Sequence, residues 1–225
     1  MQFITEDGGL TGAGYALFIA LAIIAFVVAV ILARHFSHKS TSSKKSGMSA
    51  KQLAFCAMGL ALAYVTSYVK LFEMPYGGSV TLFSMLFIVL VANWYGVGTG
   101  LLVGFAYGIL QFIQEPYFLT FFQVCCDYLF AFTALGLAGL FGNKKNGLLK
   151  GYILGALVRL FFHVLGGYIY WMDYMPESFP QAISFLYPIV YNGSFILAEG
   201  VITCIVISIP PVKKALAKVK SFALD

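Results

Sequence analysis

Between Tyr15 and Ala33 the chain reads YALFIALAIIAFVVAVILA, without a single charge. About 20 apolar residues rising 1.5 Å each are what a helix needs to cross a hydrocarbon core of roughly 30 Å. Similar runs recur through the chain. Of its 225 residues 60% are hydrophobic and only 10% charged, too few polar groups to solvate a globular surface. The sequence therefore reads as an all-α integral membrane protein. Glu6 and Asp7 precede the first run, and Arg34, Lys39, Lys44 and Lys45 follow it. That is the reverse of a cleaved signal peptide, so this helix is read as retained.

Charges, Gly and Pro cut the remaining apolar sequence into spans near 52–69, 80–95, 97–114, 118–141, 149–172 and 185–209, giving seven crossings. The break at Trp94-Tyr95-Gly96 is so short that its two helices must form a tight hairpin. Lys and Arg in short loops favour the cytoplasmic side. With the N-terminus outside and the C-terminus cytoplasmic, the inner segments hold Arg34, Lys39, Lys44, Lys45, Lys51, Lys144, Lys145, Lys150, Lys213, Lys214, Lys218 and Lys220, with Asp225 as their one acid. The outer segments hold Glu6, Asp7, Glu73, Glu115, Asp173 and Glu177, with Lys70 as their one base. This predicts a multi-pass protein of the cell membrane. The net charge of +5 then reflects orientation in the lipid bilayer and not nucleic acid as a partner.

Residues 35–47 are polar, Ser-rich and basic, the composition of a solvated linker. Three units follow: an extra N-terminal transmembrane helix at 1–34, a cytoplasmic linker at 35–47 and a six-helix domain at 48–225. Cys56, Cys125, Cys126 and Cys204 lie within apolar runs, with neither disulfide nor metal spacing, and read as small buried hydrophobes.

Gly96, Gly100, Gly104 and Gly108 repeat every four residues, and no strand or P-loop lysine accompanies them. They predict close helix packing and no nucleotide site. Ala57 and Ala61 form a smaller version of the same pattern.

Three charged residues fall inside spans: Asp127, Arg159 and Glu199. Thr120, Gln123 and Asp127 share one helix face, which continues with small Ala131 and Ala134. An ion in hydrocarbon costs several kcal/mol by insertion scales, so this stripe should face protein interior or a wet cavity. The alternatives are an ion pair with Arg159 or a protonated acid satisfied by hydrogen bonds. Arg159, His163, Gly166 and Tyr170 share a face of a later helix, with Gly167 beside them and Trp171 beyond. The last helix opens at Tyr187-Pro188 and places Asn192 and Glu199 on one face, where Glu199 would neutralise Arg159.

If these helices surround one cavity, Tyr117, Asp127, Tyr128, His163, Trp171, Tyr187 and Asn192 line its outer half. A carboxylate, ring faces and hydrogen-bonding tips suit a cationic aromatic solute. No nucleophile with a nearby base and no metal-ligand spacing supports catalysis, and no cofactor is implied.

The segments PYGGSVTLFSML, YGVGTGLLVGFAYGILQ, PYFLTFFQVCCDYLFAF, RLFFHVLGGYIYW and YPIVYNGSFILAEG, in this order, resemble the thiamine-specific (ThiT-like) substrate-binding subunits, or S components, of energy-coupling factor (ECF) transporters, over about residues 48–220. The resemblance implies a six-helix bundle with a thiamine pocket near the outer face, closed by the loop between its first two helices. It implies ligand contacts at Tyr117, Asp127, Tyr128, His163, Gly167, Trp171, Tyr187 and Asn192. It also implies that Ala57 and Ala61 face a coupling membrane protein, itself driven by two cytoplasmic ATPases, and that this chain is no enzyme. Three features depart from the family pattern. Asp127 stands where glutamate is usual. The lid segment VKLFEMPYGGSV lacks the usual tryptophan, leaving Phe72 or Tyr76 as its substitute. The N-terminal helix and linker are additional. Other readings are an S component for a different vitamin, an intramembrane enzyme acting on lipid, and a purely structural subunit.

Overall fold

A computed structural model describes residues 48–75 and 77–225. The expected N-terminal crossing, the linker at 35–47 and Tyr76 lie outside the described residues. Helix α1, Ala50–Ser67, starts where the Ser49 hydroxyl accepts the Gln52 amide at 3.1 Å. A short antiparallel hairpin follows, β1 (Lys70–Glu73) and β2 (Ser79–Thr81), with Lys70 opposite Thr81 and Glu73 opposite Ser79. Next come α2 (Ser84–Tyr95), α3 (Val97–Gln114), α4 (Phe121–Phe141), α5 (Gly147–Tyr170), α6 (Tyr187–Ser208) and α7 (Pro210–Leu224). Pro188 sits in the first turn of α6, where a missing N–H is harmless.

Among the described residues four helical stretches are long and apolar enough to cross a membrane: Val97–Gln114, Phe121–Phe141, Gly147–Tyr170 and Gln181–Ser208. The apolar run at 80–95 forms a shorter helix than these four. Its first residues pair in the hairpin, and α2 has 12 residues, about 18 Å of helix. Met85, Ile88, Val89, Val91 and Ala92 on α2 are fully buried. Hydropathy alone cannot distinguish such a core helix from a lipid-facing one, because both are apolar all round. The hairpin itself has no strong sequence signal, and α7 was legible only as a basic tail.

The glycine repeat packs as its spacing implies at three of its four positions. A Cβ on Gly104 would stand 2.6 Å from the Phe132 carbonyl oxygen, and one on Gly108 2.6 Å from that of Tyr128. One on Gly100 would stand 2.4 Å from the Ala92 Cβ. Gly136 and Gly139 on α4 answer from the other side, against the backbones of Leu101 and Val97. Gly96 differs: a Cβ there would touch nothing within 4 Å, but its φ of +86° makes the α2–α3 corner, a conformation that side chains resist.

Tight backbone approach also coincides with irregular helix in α4. Its Cys125–Phe130 turn is π-helical and its Ala134–Phe141 end is a 3₁₀ helix. π turns are rare and concentrate at functional sites. This one carries Asp127 and Tyr128.

Gly104→Ala is expected to lower the thermal midpoint of the detergent-purified protein, by overpacking worth about 1–3 kcal/mol. Gly98→Ala, where a Cβ meets nothing within 4 Å, is expected not to lower it.

Candidate functional site

The hairpin, the α3–α4 connection, the first half of α4, the second half of α5 and the first half of α6 enclose a cavity of about 480 Å³. This is within the range of small-molecule sites, roughly 300–1,000 Å³. Tyr117, Asp127, Tyr128, His163, Gly167, Trp171, Tyr187 and Asn192 all line it. Of the residues placed on the expected faces, Thr120, Ala131, Ala134, Gly166 and Tyr170 do not. Thr120 caps the start of α4 by accepting the Gln123 amide at 3.1 Å, and Tyr170 lies away from the cavity wall.

Asp127 is tied on both sides. Its Oδ2 accepts from Gln123 Nε2 at 2.7 Å and from Trp171 Nε1 at 3.1 Å, while Oδ1 is 3.6 Å from His163 Nδ1. A Cβ on Gly166 would fall 2.8 Å from that Oδ1, so only glycine lets α5 come this close. Arg159 is not the partner of Asp127. Its Nε donates to His163 Nε2 at 3.4 Å and its guanidinium lies 4.4 Å from the Phe132 ring. The histidine therefore stands between the two charges.

Glu199 does not pair with Arg159 either. Its Oε2 accepts from the Thr81 amide at 2.9 Å and the Thr81 hydroxyl at 2.8 Å, and Oε1 from the Met85 amide at 3.4 Å. A buried carboxylate on α6 thus fastens the end of β2 and the start of α2. The same helix holds the rest of the hairpin: Tyr191 donates to the Gly77 carbonyl at 3.0 Å, and Phe195 lies where a Cβ on Gly78 would clash at 2.6 Å.

Aromatic rings form the wall near the mouth. Trp171 packs against Tyr117 and Tyr174 with ring centroids 4.9 and 5.1 Å away, and Tyr187 against Tyr191 at 5.7 Å. Tyr128 is committed to the α3–α4 connection, donating to the Glu115 carbonyl at 2.7 Å and accepting the Tyr117 amide at 3.1 Å. The Asn192 amide nitrogen donates to the Pro188 and His163 carbonyls at 2.9 and 3.3 Å.

At the rim, Lys70 joins Glu73 and Glu115. Burial pulls the Lys70 pKa down, but the two carboxylates outweigh it and hold it above the ordinary lysine value. Stability from a raised lysine is present below its unfolded pKa and lost only as pH rises through the folded one, so this clip persists at neutral pH. Both acids are exposed, so it contributes about 0–1 kcal/mol. Glu73, Met74 and Pro75 line the cavity, whereas Phe72 points outward and is 60% exposed. Phe72, one of the two expected substitutes for a lid tryptophan, is thus not part of the cavity lining.

Several lining residues escaped the sequence reading. Tyr191 and Phe195 continue from Tyr187 at four-residue spacing, a signal that was present on the helix face. Thr81 and Ser84 had none, since only the folded hairpin brings them to the cavity.

Similarity to known proteins is consistent with this geometry. The profile of the family described as Thiamine transporter protein (Thia_YuaJ) matches residues 53–219. Thiamine transporter ThiT of Bacillus subtilis is 29% identical over 154 residues, 60% of this chain and 76% of that protein. Thiamine transporter ThiT of Lacticaseibacillus paracasei is 27% identical over 172 residues, 68% of this chain and 81% of that protein. The solved structure of ThiT from Listeria monocytogenes shares the fold, with a TM-score of 0.56 at 24% identity, covering 71% of this chain and 94% of that one.

Glu199→Ala strips two close donors at Thr81 of their buried acceptor, at about 1–3 kcal/mol for each unmet group. The expected result is a lower thermal midpoint together with faster hydrogen exchange at the Thr81 amide; Glu199→Gln, which keeps an oxygen acceptor, is expected to lose less.

Proposed function

This chain belongs to the thiamine transporter protein family, and we propose that it is the thiamine-binding S component of an ATP-driven ECF transporter, with the cavity around Asp127 as its binding site. The observation that carries this reading is an acid held inside a membrane bundle by Gln123 and Trp171, open to an aromatic-walled hollow and not sealed against Arg159. Thiamine has a cationic thiazolium ring and an aminopyrimidine. The carboxylate supplies Coulomb attraction or accepts from the pyrimidine amino group. Tyr117, Trp171 and Tyr187 supply ring faces, each worth roughly 0.5–2 kcal/mol toward a cation. The Asn192 carbonyl and the His163 edge orient the guest, and Gly167, where a Cβ would stand 3.2 Å from Asn192 Nδ2, lets α6 bring that asparagine to the cavity.

Aspartate has one methylene fewer than the glutamate usual in this family. The π turn adds a residue to that helical turn and so changes the angle from which the side chain leaves the backbone.

The lysines of the α4–α5 turn and of α7 lie at the end of the bundle away from the cavity, which supports placing that end in the cytoplasm and the hairpin outside. Ala57 and Ala61 are exposed on α1 beside Met58 and Leu62, a face that suits the coupling membrane protein. Two cytoplasmic ATPases then supply the energy, and this chain carries out no chemistry.

Titrating the detergent-purified protein with thiamine is expected to quench Trp171 fluorescence and to release heat; unchanged emission with no heat rejects the substrate. Riboflavin, biotin and pyridoxine are expected not to compete. Asp127→Ala removes one partner of a buried charge pair, a loss of about 2–5 kcal/mol, roughly thirty- to several-thousand-fold in Kd. Ala57→Trp is expected to leave binding intact and to abolish uptake in cells.

A further inference from the structure

At the end of the bundle opposite the hairpin, a second hollow of about 320 Å³ lies between α2, the α4–α5 turn, the end of α6 and α7. Its walls are apolar, with Leu148, Ile207 and Leu216 among them, and its polar side carries the ammonium groups of Lys144, Lys213 and Lys220. Among the described residues, no carboxylate lies within ion-pair distance of any of the three. Lys213 donates to Asn146 Oδ1 at 3.1 Å, and Lys220 to the Gly142 carbonyl at 2.7 Å and Asn93 Oδ1 at 3.2 Å.

Asn93 is the second, independent pointer. It lines the hollow and is only 5% exposed; with its Oδ1 taken by Lys220, its Nδ2 has no partner. A buried amide donor without an acceptor is costly and rare, and asks for an explanation. Three cations without a carboxylate partner, one of them over the Phe141 ring at 5.5 Å, and an unmet N–H donor on a residue lining the same hollow call for an acceptor that is both anionic and rich in oxygen. Phosphate has that character. Burial also holds the Lys220 pKa below the ordinary lysine value, a cost that a neighbouring anion would offset.

We propose that this hollow is a phosphate-binding site. The phosphate sits among Lys144, Lys213 and Lys220 and accepts from Asn93 Nδ2. Apolar walls at the membrane edge favour an anionic lipid headgroup as its source, with acyl chains leaving along them.

The test uses the full-length chain, purified and delipidated in detergent. Phosphatidylglycerol, phosphatidylcholine and inorganic phosphate are added separately, with retained lipid read by native mass spectrometry and the thermal midpoint measured in parallel. Phosphatidylglycerol is expected to be retained and to raise the midpoint, and phosphatidylcholine to do neither. The Lys213→Gln/Lys220→Gln double variant is expected to lose about fivefold in affinity per lysine. Asn93→Asp is expected to abolish retention without unfolding the protein, since it gives Lys220 a carboxylate and repels the anion. Stabilisation by inorganic phosphate alone, lost in the same variants, supports the site with a soluble anion as its source. Equal retention of both lipids, or equal phosphatidylglycerol binding by the original chain and both variants, overturns the proposal. Thiamine titration of each variant, expected to be unchanged, confirms that the opposite end is still folded.

Discussion

A carboxylate within an apolar bundle must be met by donors, and much of this structure is arranged around that demand at Asp127. Gln123, one turn earlier, supplies one hydrogen bond and Trp171, at the far end of α5, another. Bringing the tryptophan within reach requires α4 and α5 to meet closely. Gly166 permits that approach, and Gly167 does the same between α5 and α6, where a Cβ would stand 2.7 Å from Pro188. The tryptophan bond and the Gly166 contact are therefore one device, since a side chain at 166 would push α5 and its Trp171 away from Asp127.

The second buried acid answers the same demand with a different result. Glu199 finds its donors in the hairpin, so the segment that roofs the cavity is fastened to α6 by a carboxylate at its base and by Tyr191 at its turn. These contacts lie at the two ends of the roof. The intervening strands are short and exposed on their outer side, so the roof depends on its attachment to α6 more than on its own ladder.

Charge divides the bundle along its length. The cavity mouth carries Glu73 and Glu115 around one lysine, while the opposite end gathers lysines whose nearest polar partners are carbonyl and amide oxygens. An acidic, aromatic mouth suits a cationic ring, and a basic, apolar-walled hollow suits a phosphate. The two proposed sites thus lie at opposite ends of one charge asymmetry along the bundle.

Helix periodicity made much of this legible beforehand. A four-residue glycine repeat predicted a packing seam, which Gly100, Gly104 and Gly108 form, and polar residues three and four apart marked faces of α4, α5 and α6 that turn inward. All eight residues that the family resemblance implied for the pocket line it, and the helical face positions of Asp127, His163 and Asn192 are those that periodicity alone had marked. Partners across helices were not legible. One-dimensional spacing left Arg159 a candidate for either acid, yet folding placed His163 before one and the Thr81 backbone before the other. The hairpin, the π turn beneath Asp127 and the burial of α2 were hidden for a related reason: each exists only where distant segments touch, and hydropathy cannot tell an apolar neighbour in protein from one in lipid.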